Sequence, residues 1–197
     1  MTVPTTTRRF RGRCSTRRYI SRVPAPRRAV LLAVVVLTAG PSSAAAVPAD
    51  APTIDKSPLL WATINICDTA KHPDTIGIRA SMPGSGRRTE KMYMRFQVQY
   101  FRPSTQTWAP TDATFDSGWR MVGSATYRRR ESGWNFSITP PPAGQTYRLR
   151  GVVSFEWRKG KSTDAVRSAT KRTRSGHPGT FGADPKGFSA AECVVKP

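Results

Sequence analysis

The sequence predicts an all-β fold, an antiparallel β-sandwich of about seven to nine strands, and three observations predict it. The stretch "TYRLRGVVSFEWR" puts Tyr147, Leu149, Gly151, Val153, Phe155 and Trp157 on one parity and Arg148, Arg150, Glu156 and Arg158 on the other. That period of two is the mark of a strand with one buried and one wet face. No segment keeps helical periodicity for more than a turn or two. Short alternating runs are instead separated by Gly, Pro and Ser turn signals, the pattern of a sandwich or barrel.

The first 28 residues carry nine arginines and no acid, and an apolar run at 29–40 and a small-residue stretch, "PSSAAAVPADAP", follow. A basic, an apolar and a small-residue region in that order describe a secretory signal peptide, residues 1–46, with cleavage after Ala46 or Ala49. The apolar run is about a dozen residues, whereas a bilayer span takes about 20, which disfavours an uncleaved anchor. Arg8-Arg9 and Arg17-Arg18 are the pairs the twin-arginine route uses, although an arginine-rich leader also makes such pairs by chance. The composition of the leader resembles that of actinobacterial exported proteins. Residues 47–58 are expected to be a flexible segment and 59–197 a single domain.

Within that domain "LWATINIC" alternates Leu60, Ala62, Ile64 and Ile66, and "TIGIRASM" alternates Ile76, Ile78, Ala80 and Met82. "PGSGRR" at 83–88 is a turn, and "KMYMRFQVQYF" gives the next strand, with Met92, Met94, Phe96 and Val98 inward. From Arg102 to Gly118 the pattern weakens around Trp108, which fits a long loop or short edge strands equally. "SGW" occurs at 117–119 and again at 132–134 and reads twice as a turn that opens a short strand. The prolines of "TPPPAG" exclude a central strand before Tyr147. "AVRSATKRTR" alternates poorly and suits a charged edge strand; "SGHPGTFGADPKG" is a loop, and "FSAAECVV" is the last strand.

Nine of the 32 Lys and Arg residues leave with the leader, so 23 face 12 acids in the mature chain, a balance of about +11. Cys14 leaves too, and the remaining pair, Cys67 and Cys193, reads as a disulfide in an oxidising compartment. It would tie the first strand to the last. Two cysteines and two histidines so scattered lack metal-ligand spacing, and no cofactor motif is present.

At "SITPPPAGQTYRLRGVVSFEW" the chain resembles the E-to-F region of fibronectin type III and related immunoglobulin-like domains, and "MRFQVQYF" is similar to their C strand. The resemblance covers about 91–158. It implies that Tyr147 is a corner tyrosine whose hydroxyl bonds to backbone, and that strands C, F and G share a sheet. Arg95, Arg148, Arg150, Arg158, Arg167, Lys171, Arg172 and Arg174 would then crowd one outer face, a surface suited to an anionic cell-wall polymer or another polyanion. The plain alternative is that these cations keep an exposed sheet hydrated and protect an edge strand.

The expected role is therefore a secreted or envelope binding module without enzymatic activity. Two rivals are a hydrolase built on His72 with Asp68 or Asp74, or on His177 with Asp184, and a nucleic-acid-binding protein. Against the first, both histidines sit in turn sequences, "KHPD" and "GHPG", and no Gly-x-Ser-x-Gly nucleophile elbow occurs. Trp108 and Trp119 sit near loops, where an indole could stack on a sugar.

Overall fold

The computed structural model describes residues 54–197, so the leader, its two cleavage positions and residues 47–53 lie outside the described residues. Nine strands make up the described chain: β1 Trp61–Thr69, β2 His72–Pro83, β3 Glu90–Arg102, β4 Thr107–Pro110, β5 Arg120–Ser124, β6 Arg129–Ser137, β7 Tyr147–Lys159, β8 Ala165–Arg172 and β9 Cys193–Val195. One sheet has the order β1-β2-β6; the other has β4-β3-β7-β8, with β5 also on β3 and β9 also on β7. Every pairing between these strands is antiparallel. The fold is the predicted antiparallel all-β sandwich.

The core is built by parity. Met92, Met94, Phe96 and Val98 of β3 and Leu149, Val153, Phe155 and Trp157 of β7 are all buried, and they share one cluster with Ile64, Ile76, Ile78 and Met82 of the other sheet. Burying a large apolar side chain is worth about 1.5–3 kcal/mol, so these facing rows hold the two sheets together. Trp157 adds a polar tie, because its Nε1 donates to the Pro83 carbonyl of β2 at 3.0 Å. Gly151 allows the closest approach of the sheets, since a Cβ there would stand 2.8 Å from Ile78 Cδ1.

The disulfide joins Cys67 to Cys193 with Cα atoms 5.4 Å apart. It links β1 of one sheet to β9 of the other, as the cysteine count predicts. No helix among the described residues is long and apolar enough to cross a membrane.

Three details depart from the sequence reading. The second "SGW" does not open a strand: Ser132 and Gly133 lie inside β6, and the turn is the preceding 125–128. Gly133 is there for packing, as a Cβ would meet the Ile78 carbonyl at 2.8 Å. The weak stretch after Arg102 contains both an edge strand, β4, and a short 3-10 helix, Ala113–Phe115, capped by Asp112. The last strand shrinks to Cys193–Val195, because Ala190 leaves that line to exchange backbone hydrogen bonds with Ile64.

The loop between β8 and β9 is stitched to the solvent side of β1, which is why Thr63 and Asn65 are buried although their parity is outward. Asn65 Nδ2 donates to the Gly182 carbonyl at 2.9 Å, and Thr63 Oγ1 shares a hydrogen bond with Ser189 Oγ at 2.8 Å. At the other end of the described chain, Ile54 of the 3-10 helix Ile54–Lys56 packs on the core.

Candidate functional site

β3, β7 and β8 lie side by side, so outward residues of these strands share one face. Arg95 on β3 and Arg148, Arg150 and Arg158 on β7 hold that parity, and Arg172 joins them opposite Val152. Arg167 and Lys171 do not. They pair with Trp157 and Val153, which puts them on the inward parity of the edge strand. Arg174 lies beyond β8 and crosses to the other sheet, its N–H donating to the Ala62 carbonyl at 2.9 Å. The single outer cluster of eight cations predicted from the sequence is therefore divided.

Charge pairing divides the eight in a second way. Arg95 is bound to Asp116, Arg148 to Glu192 at 2.8 Å, Arg158 to Glu156 at 2.6 Å, and Arg167 to Glu90. Arg150, Lys171, Arg172 and Arg174 make no ion pair among the described residues, and these four line one cleft of about 750 Å³. Glu192 is the cleft's one acid, and Arg148 already holds it.

On the outer face, the paired Arg148 and Arg158 and the unpaired Arg150 also lie on aromatic rings. The Arg158 guanidinium carbon stands 4.3 Å from the Tyr93 ring centre and 4.9 Å from that of Trp119. Arg148 covers Phe101 at 4.5 Å, and Arg150 covers Trp108 at 4.3 Å. Such contacts hold a cation in place and occupy the face of the ring. Trp108 and Trp119 are thus capped by guanidinium groups, which takes up ring faces that a sugar would stack on.

The cleft opens where the chain leaves β8 for β1. Buried Thr173 anchors that crossing: its Oγ1 accepts from the Gly151 N–H at 3.0 Å and donates to the Ala191 carbonyl at 2.6 Å. Lys171 reaches the Asp55 carbonyl with its Nζ, a partner without charge. Arg150 donates through Nε and Nη2 to Gln99 Oε1, at 2.9 and 2.7 Å, which leaves Nη1 free to donate. Burial and the nearby positive charge of Arg172 both lower the pKa of Arg150, with a partial offset from Glu192.

Trp61 and His177 form one wall of the cleft, stacked with ring centres 4.3 Å apart and planes at 14°. Burial lowers the pKa of His177, and the charge of Glu131 opposes part of that shift. Sequence parity places Trp61 facing outward, but nothing in the sequence signals its partner 116 positions away.

Neither histidine meets the carboxylates considered for a catalytic pair. Asp184 accepts from Thr69, Asp68 accepts from the Asp74 N–H at 2.8 Å, and neither imidazole makes a hydrogen bond to a carboxylate among the described residues. Tyr147 begins β7 and packs against the core, yet its hydroxyl makes none of the expected backbone hydrogen bond among the described residues. No group of three or more His, Cys, Asp or Glu is placed to hold a metal among the described residues. Neither a protein-family model nor a curated protein matches this chain, so its function is read from the geometry of the cleft alone.

Proposed function

We propose that this chain is an exported, non-enzymatic binding module of fibronectin type III or immunoglobulin-like architecture that holds an anionic polymer at the cleft beside β8. The observation that carries the reading is the pairing pattern. Of the eight basic residues that the sequence assigns to this face, the four without an acidic partner among the described residues are those that converge on one concavity. Unpaired guanidinium groups in a recess attract and orient carboxylate or phosphate, because their charge is uncompensated and partly shielded from water.

The leader-like N-terminus and the disulfide support export. The adjacency of β3, β7 and β8 within the six-strand sheet, as C, F and G are adjacent in that family, supports the architecture. The first-to-last disulfide and the unbonded Tyr147 hydroxyl are departures from it.

Retention on heparin-agarose as a function of salt tests the function. The mature protein is expected to elute at high salt, and Arg172→Glu/Arg174→Glu is expected to elute far earlier. Loss of each phosphate-type contact lowers the salt slope by about one. Unchanged elution of that variant overturns the reading.

A further inference from the structure

The cleft has an apolar floor and an aromatic wall as well as its cations, and a polyanion site alone needs neither. Leu60 and Ala62 are almost fully buried beneath it, and Trp61 and His177 supply its aromatic groups. The tryptophans that lie on the outer face, Trp108 and Trp119, are covered by arginine side chains. Trp61, half-buried at the first position of β1, is the indole left at the site. A cavity of about 750 Å³ is in the range that encloses a small ligand or one or two units of a polymer.

Resting on the function proposed above, we infer that the cleft recognises an acidic sugar unit, a pyranose ring bearing a carboxylate or phosphate. The ring's C–H face lies against the Trp61–His177 stack, and its anionic group sits between Arg150 Nη1 and Arg172. The anion then meets two guanidinium groups that line the cleft and that no carboxylate holds among the described residues. Nucleic acid is the weaker fit, because single-strand binding uses successive stacked bases along a groove, and the cleft offers a single stack.

Calorimetric titration of the mature protein with glucuronate, glucose 6-phosphate, inorganic phosphate, glucose and adenosine monophosphate tests the inference. Both acidic sugars are expected to bind about tenfold tighter than phosphate, the gain that roughly 1.4 kcal/mol of apolar burial produces, and tighter than glucose through their contact with the guanidinium groups. Trp61→Ala should bring glucose 6-phosphate down to the affinity of phosphate. Trp61→Phe, which keeps a ring at the start of β1, should recover most of the loss and exclude misfolding as its cause. A polygalacturonate fragment should bind at least as tightly as glucuronate. Equal affinity for phosphate and glucose 6-phosphate, or tighter binding of adenosine monophosphate, overturns the sugar assignment. If Arg172→Glu/Arg174→Glu abolishes heparin retention while Trp61→Ala leaves all affinities unchanged, the polymer-binding function stands and the sugar site falls.

Discussion

The outer face of β3 and β7 and the cleft beyond β8 take arginines from the same stretch of sequence and use them differently. On the face, Arg95, Arg148 and Arg158 are each matched to a carboxylate, and Arg148 and Arg158 also lie on aromatic rings. In the cleft, Arg150, Arg172 and Arg174 have no acid, and Arg172 and Arg174 extend into solvent. Positive charge alone does not mark a binding surface. A paired and stacked arginine serves the fold, whereas an unpaired one at a concavity is available to a ligand.

The largest expected effect comes from the bridge that supports the cleft side. Cys67→Ala/Cys193→Ala opens a closure of 126 residues, for which loop entropy sets an upper figure of about 5 kcal/mol. A guanidinium melt should show most of that loss. Anion binding should weaken with it, because Ala191 and Glu192 of the cleft directly precede Cys193. Retained binding with lowered stability would separate the cleft from the bridge.

Glu90 is the next test, since it is a carboxylate 3% exposed that holds Arg167, the paired counterpart of Lys171 on the same strand parity. Burial alone raises its pKa, but hydrogen bonds from Ser85 and Arg167 and the charges of Arg167 and Arg87 outweigh that and leave it lowered. Glu90→Gln is expected to cost roughly 2 kcal/mol at neutral pH, the range for a buried charged hydrogen bond. A lowered folded pKa means that this contribution is complete above about 4.5, the unfolded value, and is lost as pH falls through the folded value. The variant should therefore approach the parent in stability at acid pH, as urea melts across pH 7 to 3 would show.

A crossed pair of substitutions sharpens the comparison most simply. Arg158→Ala removes a side chain 11% exposed from between two rings and is expected to cost about 1.5 kcal/mol of stability with heparin retention nearly unchanged. Arg172→Ala should alter stability by less than about 0.5 kcal/mol, as exposed substitutions do, and should reduce retention. Should Arg158→Ala lose retention instead, the face and the cleft would have exchanged roles.

His177 carries the smallest effect. Its folded pKa is below the ordinary value of about 6.5, so the folded state takes up the proton less readily than the unfolded chain. Stability is then complete above pH 6.5 and declines as pH falls below it. Thermal melts at pH 7.5 and 5.5 should show a decline that is smaller in His177→Phe, and a bound anion should reduce the decline in the parent.

Much of the fold is legible because one face of each long strand is dry. β3 and β7 alternate cleanly, since their inner rows fill the core and their outer rows meet water. The cysteine pair is legible from the count, because a leader that takes Cys14 would leave two cysteines to pair. β8 is legible as a charged edge strand, but the facing of its residues is not, because it carries basic residues on both parities, so the inward placement of Arg167 and Lys171 has no signature. The cleft is not legible either. It depends on which arginines find carboxylates and on the loop that brings His177 onto Trp61, both matters of tertiary distance rather than sequence spacing.

The central claim is tested most directly by two variants of equal charge, Arg172→Gln/Arg174→Gln and Arg95→Gln/Arg158→Gln, compared for the salt concentration at which each leaves heparin-agarose. Both lose two positive charges and leave the Arg148–Glu192 pair intact, so any difference reports position and pairing. The cleft variant is predicted to elute well before the parent and the face variant close to it. Equal early elution of both, or earlier elution of the face variant, would contradict the account.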